Sequence, residues 1–452
     1  ELRAWFEDIS GSNSYLDEPE PYIERHGDLR PADRPEAPTP SFPWPFERIH
    51  SVFPQRAWSF DARQIHLFAA TPARAGLLVP THCAIYCLDW DTGEVLWNFG
   101  ESRGIRPASY ALAGDQLLIA EDGEGIRLLS AETGEVQFEN RSLRVSSWRL
   151  LVGAFAYPSE GLVVAADLQG RILGLSTEDG SIRWHFSSGH GRFVGVSGDG
   201  PLISALTGEG FLYTLNPVDG EVLWNVRLGG LSETSPAFHQ GRLYTFSHDS
   251  MSQQLNVHAT QPFTGRSAWQ LRVEGRLAGS PSFSDRWLVL PIQRKNAICM
   301  VGVDCESKRP GPEWEVVVRS AGVSEIAPAE FVELDGQTHG LVKTDRGEVT
   351  CFRLDDGQVR WRANDEDETW MLGGNRKLQT IDDCVLVPNQ SLELRDLDDG
   401  SLRHVIDQPV RSPEFVHAAG SLNVVVGSKR GKKEDPDVLY GYRLDHFLGV
   451  VE

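Results

Sequence analysis

Apolar and polar residues alternate along most of the chain with the two-residue period of β-strands, in runs of about four to eight residues. The runs are broken by Asp-Gly and Thr-Gly pairs, where glycine supplies the positive φ a tight hairpin needs. One phrase returns again and again: an alternating run, a short polar turn ending in Gly, and a second run ending in an aromatic residue. It reads IYCLDWDTGEVLWNF at 85–99, IRLLSAETGEVQFEN at 126–140, ILGLSTEDGSIRWHF at 172–186 and LYTLNPVDGEVLWNV at 212–226. Later copies are LNVHATQPFTGRSAWQL at 255–271, CFRLDDGQVRWRA at 351–363 and LELRDLDDGSLRHVI at 392–406, with a degenerate one at 298–317 and an incomplete one at 439–452.

The turn glycines stand at 93, 134, 180, 220, 265, 311, 357 and 400, separated by 41, 46, 40, 45, 46, 46 and 43 residues. Four strands of about five or six residues with short connections fill such a period, which is the spacing of propeller blades. An aromatic ring follows the glycine at a fixed place as Trp97, Phe138, Trp184, Trp224, Trp269 and Trp361. Trp314 comes one residue early, and His404 takes the place in the last clear unit. A large flat ring recurring at one position is expected to pack each sheet against its neighbour. Further strand-like runs precede each unit, such as SPAFHQGRLYTFS at 235–247, and their small first residues suit a crowded axis. No long helical periodicity appears between residues 57 and 452.

These phrases resemble the PQQ-like, or quinoprotein alcohol-dehydrogenase-like, β-propeller repeat, whose hallmark is L-x-A-L-D-x-x-T-G-x-x-x-W. The match is best from Ile85 to Trp97, Ile172 to Trp184 and Leu212 to Trp224, and extends over roughly residues 65–452; the repeat's Asp survives at 89, 304 and 396 and is replaced by Ser130, Ser176 and Asn216 elsewhere. The expected fold is an all-β propeller of four-stranded blades. Eight blades are favoured from the eight glycine turns and nine stay open, with residues 57–71 supplying strands that complete the final blade. The resemblance also implies a test for redox chemistry, because quinoprotein dehydrogenases of this class carry PQQ and Ca²⁺ under two adjacent disulfide-bonded cysteines. This chain has no adjacent Cys pair and no C-x-x-C-H haem motif, so no cofactor, no metal and no catalytic residue is expected.

Residues 1–56 differ from the rest. They hold nine of the 26 prolines and read as a Pro-rich arm or linker, with Leu2, Trp5, Phe6 and Ile9 on one face of a short helix. Trp5, Phe6, Trp44 and Phe46 are its candidate contacts, either with the blades or with a partner. The propeller is assigned to 57–452. The row opens at Glu1 without Met or an apolar leader, which reads as a processed or cut start compatible with a removed signal peptide.

Charge narrows the partners. The net charge is −21, from 64 acidic and 43 basic residues, and a chain so acidic repels a phosphate backbone. The one dense basic run, Lys429, Arg430, Lys432 and Lys433, falls between strands of the last blade as a loop, a candidate contact for an acidic partner. No apolar run reaches the length of a membrane-spanning helix. Six cysteines at 83, 87, 299, 305, 351 and 384 form no C-x-x-C. Cys83 and Cys87 lie about 13 Å apart on one straight strand, so buried free thiols are expected. The compartment leans cytoplasmic, with periplasm or cell exterior as alternatives.

Gly100-Glu101-Ser102-Arg103-Gly104 matches G-x-S-x-G, but the run that follows is strand-like, whereas a nucleophile elbow needs a helix. The acidic turns at Asp89-Trp90-Asp91 and Asp396–Gly400 lack the spacing of a calcium loop and read as hairpins; Asp365–Glu368 reads as a solvated loop. The expected function is therefore a non-catalytic scaffold or regulatory subunit in a multi-protein assembly, binding through propeller faces and arm. The analogy within the repeat class is an outer-membrane assembly lipoprotein, although no lipobox cysteine stands near Glu1; an interaction domain of a longer regulatory chain fits equally. The alternatives are an enzyme or small-molecule sensor using the central channel, and surface carbohydrate binding through exposed aromatics such as Trp90 and Trp370.

Overall fold

The computed structural model describes residues 56–62, 71–81, 84–100, 107–121, 125–141, 151–167, 170–199, 202–232, 234–249, 251–295, 297–307, 310–320, 326–363, 378–381, 383–388, 392–406, 415–419, 423–428 and 437–443. All of them belong to one compact unit, Ser51–Glu452. The arm expected over 1–56 lies outside the described residues except for Arg56, and so do its candidate contacts Trp5, Phe6, Trp44 and Phe46.

Nine antiparallel sheets are built from the described strands. Eight follow one another in sequence as blades 1 to 8, over residues 71–99, 107–140, 151–187, 193–227, 231–274, 276–320, 330–363 and 379–406. Each is a meander in chain order, and each carries one of the eight turn glycines. The ninth joins the two ends of the unit. Arg56–Ala62 pairs with Asp437–Arg443, Phe60 opposite Leu439, and that strand continues the sheet to Asn423–Ser428 and Phe415–Ala419. The nine-blade count is thus the one the sheets support, because the closing sheet has no glycine turn of its own to be counted by.

Blades 5 and 6 contain five strands because the innermost position is broken in two. Leu231–Ser232 and Ala237–His239 both pair with Arg242–Asp249, while Arg276–Leu277 and Ser282–Phe283 both pair with Trp287–Arg294. Pro236 and Pro281 stand at the interruptions, and a residue without an N–H cannot carry the ladder onward.

The apolar core lies between the sheets. Second and third strands are buried on both faces, as in Leu77–Pro80, Ile85–Leu88 and Leu202–Thr207; outermost strands alternate, as in Val136–Asn140 and Val359–Ala363. Leu117 and Ile119 pack toward blade 1, and the intervening Leu118 and Ala120 toward blade 3, so one strand feeds two interfaces through its two-residue period. Each neighbouring pair from blades 1 and 2 to blades 7 and 8 shares one such cluster.

Candidate interaction surfaces

The repeated turn is a small hydrogen-bonded device. Gly93 donates its N–H to the Asp89 carbonyl at 3.0 Å, and Asp89 donates to Glu94 at 2.9 Å. The same pair of bonds recurs around Ser130, Ser176, Asn216, Gln261, Arg353 and Asp396. The side chain opening the turn accepts from inside it: Asp89 from Asp91, Thr92 N and Thr92 Oγ1; Ser130 from Thr133; Ser176 from Glu178; Asn216 from Val218; and Asp396 from Asp398. A short oxygen-bearing side chain suffices for this work, which accounts for the repeat's Asp being replaced by Ser or Asn. Burial pushes the Asp89 carboxyl up, but the Thr92 and Asp91 hydrogen bonds outweigh it and hold it below its ordinary value.

One strand beyond that turn, the ladder slips by one residue in all eight sequential blades. Leu96, Gln137, Arg183, Leu223, Ala268, Glu313, Arg360 and Arg403 are the extra residues of these bulges. The bulge aims the following side chain. Trp314 stands opposite Gly302 as Trp184 stands opposite Gly174. The turn of blade 6 is longer, eight residues between Val303 and Pro312 against six between Leu175 and Ile182, and Gly311 comes later in it, so the ring is early only relative to the glycine and its position in the sheet matches the others.

These rings lie over the turn glycine of the next blade. A Cβ on Gly134 would sit 2.6 Å from Trp97, one on Gly265 2.7 Å from Trp224, one on Gly400 2.5 Å from Trp361, and one on Gly357 3.1 Å from Trp314; Gly180 meets Phe138 and Gly220 meets Trp184 in the same way. Trp184, Trp224 and Trp361 also donate their indole N–H to the carbonyls of Pro217, Pro262 and Leu397 in those turns. Trp269 is the departure: Gly311 has nothing within 4 Å of its absent Cβ, and Trp269 meets the Tyr244 ring edge-on at 5.6 Å.

The other candidate residues are dispersed. Lys429, Arg430, Lys432 and Lys433 lie outside the described residues, as do Cys83, Trp370 and Asp365–Glu368. Trp90 is half-buried in the first turn. Gly100 ends Val95–Phe99, and the next described residues form the strand Pro107–Ala113, so the G-x-S-x-G match lies between two strands. Cys87, Cys299, Cys305, Cys351 and Cys384 are buried and free. Burial raises the thiols of Cys87 and Cys299 to about 11 and those of Cys351 and Cys384 to about 12. Protonated thiols are poor nucleophiles and poor metal ligands.

A family profile described as outer membrane protein assembly factor BamB, built on PQQ-type repeats, matches residues 81–192, 169–260, 208–389 and 253–429. The chain belongs to this family. A BamB of Yersinia pestis, titled outer membrane protein assembly factor, is 22% identical over 222 residues, which is 44% of this chain and 53% of that protein. The chain thus spans about half the length of the curated relative it matches. Among solved structures, BamB from Moraxella catarrhalis aligns with TM-score 0.49 at 13% identity, over 86% of this chain and 99% of that one. The Dos1 propeller aligns with TM-score 0.52 at 9% identity, over 75% and 92%, a likeness of fold alone.

Among the described residues of this BamB-family propeller, two grooves lie at opposite ends of the sheets. In a meander, the turns after the first and third strands leave at one end of the sheet, and the turn after the second leaves at the other with the links between blades. At the first end, a groove of about 800 Å³ is lined by Phe155, Tyr157, Pro217 and Val218 with residues of blade 2. At the second end, a groove of about 700 Å³ between blades 4 and 5 is lined by polar side chains, among them Arg227, Asn256, His258, Gln270 and Arg272. Sequence reasoning missed this second set, although a signal was present. The third strands of blades 1 to 4, 6 and 7 are buried but for an end residue at most, whereas Gln254–Thr260 alternates Leu255, Val257 and Ala259 with the half-buried Asn256 and His258.

Proposed function

We propose that this chain is a non-catalytic scaffold in the assembly of outer-membrane proteins, holding protein partners on its loop-bearing faces. The observation that carries the reading is the family match across 81–429, whose description names such an assembly factor. The chemistry of the described residues is consistent with it. The turn carboxylates are engaged in holding hairpins, and the buried thiols are protonated at neutral pH. A stiff disc of short loops is suited to binding chains, because its recognition residues are pre-positioned.

Several finer assignments belong to the same proposal. The location is the periplasm, the alternative to the cytoplasmic lean that the family's description favours. Residues 1–56 act as an arm beside a propeller over 57–452, with Trp5, Phe6, Trp44 and Phe46 as partner contacts, and Lys429, Arg430, Lys432 and Lys433 meet an acidic partner. The rings of Trp97, Phe138, Trp184, Trp224, Trp269, Trp314 and Trp361 lock blade to blade and keep the faces rigid.

The test is native mass spectrometry of protein purified gently from the envelope and the cytosolic fractions of its own source. Partner chains in stoichiometric amount from the envelope fraction are expected. A solitary chain carrying a tightly bound cofactor or metal would overturn the scaffold and make the central channel an active site.

A further inference from the structure

The polar groove between blades 4 and 5 combines cations and carboxamides in an arrangement the fold does not require. Its floor is the outward side of Gln254–Thr260, where Asn256 and His258 sit between residues of the core. The Nε2 atom of His258 is buried without a hydrogen-bond partner, and a buried polar atom left unpaired is destabilising until something pairs with it. Burial first, and the nearby Arg272 charge second, lower the pKa of this imidazole.

Two guanidinium groups rim the floor. Arg272 stands opposite Asn256 on the neighbouring strand, and Gln270 opposite His258. Arg227 comes from blade 4, its guanidinium 5.3 Å over the Phe211 ring, whose other stacking partner is His190 at 3.9 Å. The stack holds the guanidinium plane in place while its N–H edge stays available. Asp249, the carboxylate that lines the groove, is taken up by Ser252 Oγ at 2.7 Å and by the Met251 N–H at 3.0 Å. Those donors are neutral, so Asp249 keeps its charge and the groove carries two guanidinium groups against one carboxylate, a local excess of positive charge.

We infer that this groove binds an acidic peptide segment of a protein partner, the guanidinium groups of Arg227 and Arg272 taking its carboxylates and Asn256 and Gln270 its backbone amides. Guanidinium groups match carboxylates in a two-pronged geometry, and a carboxamide offers the donor and acceptor that a peptide unit complements. The positive site is local on a chain of net charge −21, which selects an acidic segment at this groove and disfavours it elsewhere. The inference rests on the scaffold reading for the existence of a partner.

The probe is the capped peptide acetyl-Glu-Glu-Glu-Glu-amide, titrated into the full chain by calorimetry and followed at the His258 ring by NMR. Saturable binding is expected, with a His258 shift and a Kd at least tenfold weaker in Arg227→Ala and in Arg272→Ala. Both arginines are exposed, so the variants fold. Absence of saturable binding, equal binding by the variants, equal binding of a tetralysine peptide, or citrate binding as tightly as the peptide would each overturn the inference. Native partners that co-purify equally well with the double variant would also overturn it while leaving the scaffold standing. A chain that binds the peptide through these arginines yet purifies alone would uphold the groove and sink the scaffold.

Discussion

At the scale of single residues, the contact between Trp184 and Gly220 links two blades through one ring and one missing Cβ. Gly220 sits at φ 72°, where an L side chain is strained, and an added methyl group would enter the Trp184 ring. Gly220→Ala is expected to cost about 1–3 kcal/mol, and Trp184→Ala about 3–5 kcal/mol, both read as shifts of the urea midpoint. The double variant should cost less than the sum, since both changes damage one contact. Additive losses would show that ring and turn act separately. The cysteines give a second expectation at this scale. Thiols raised to about 11 or 12 by burial should stay silent toward a disulfide reagent at pH 8. With Cys305 equally buried, no more than one thiol, Cys83, is expected to react before unfolding, and six afterwards. Prompt reaction of two or more would contradict the buried placement.

At the scale of elements, the turn and the bulge explain how much of the fold was legible. Glycine marks seven of the eight turns because its φ there is positive, near 70°, which an L side chain resists; Gly311, in the longer turn of blade 6, is the exception, and the period could still be read from Gly93 to Gly400. The bulge left no such mark. Its extra residue is Leu96 in one blade and Arg360 in another, because it points to the outer surface and any side chain serves. Trp314 looked displaced in sequence because Gly311 stands later in a longer turn, while the ladder puts the ring opposite Gly302 as in the other blades. The groove was illegible for another reason: Arg227 and His258 meet only when two blades stack, 31 positions apart along the chain. Blade 6 carries an ionic variant of the turn, in which Arg286 donates from Nε at 3.0 Å and from Nη2 at 2.6 Å to the Asp304 carboxylate, which also accepts from Glu306. The Arg286 contact is the main cause of the lowered Asp304 pKa. A carboxyl depressed in the folded state stabilises above its unfolded value near 4 and loses that contribution as pH falls through the folded value. Asp356, held at about 2 chiefly by Arg353, adds to the same window. Stability should therefore decline from about pH 4 toward pH 2. Asp304→Asn is expected to lower stability at pH 7 by only about 1 kcal/mol, since Arg286 is largely solvated, and to flatten that decline. Urea midpoints measured from pH 7 to pH 2 check both, and an unchanged slope would remove Asp304 from the account.

At the scale of the whole propeller, each of the first seven blades shares its core with the next, so a blade at an open end would leave one face in water. Repeat arrays answer this with capping units; here Arg56–Ala62 crosses from the start of the unit to pair with Asp437–Arg443 near its end. The closing strand is outermost in its sheet, and removing it exposes the edge of Asp437–Arg443. An unpaired edge recruits other chains. A chain starting at Ser51 should therefore unfold in a single transition as a monodisperse species. One starting after Ala62 should melt several degrees lower, in a broader or split transition, and self-associate in sedimentation. The split is the informative feature, because a ring propagates unfolding in both directions from any breach whereas an open stack frays from its ends. If both chains melted alike, closure would be incidental, and the stability of the disc would reside wholly in the blade-to-blade contacts of which Trp184 on Gly220 is one.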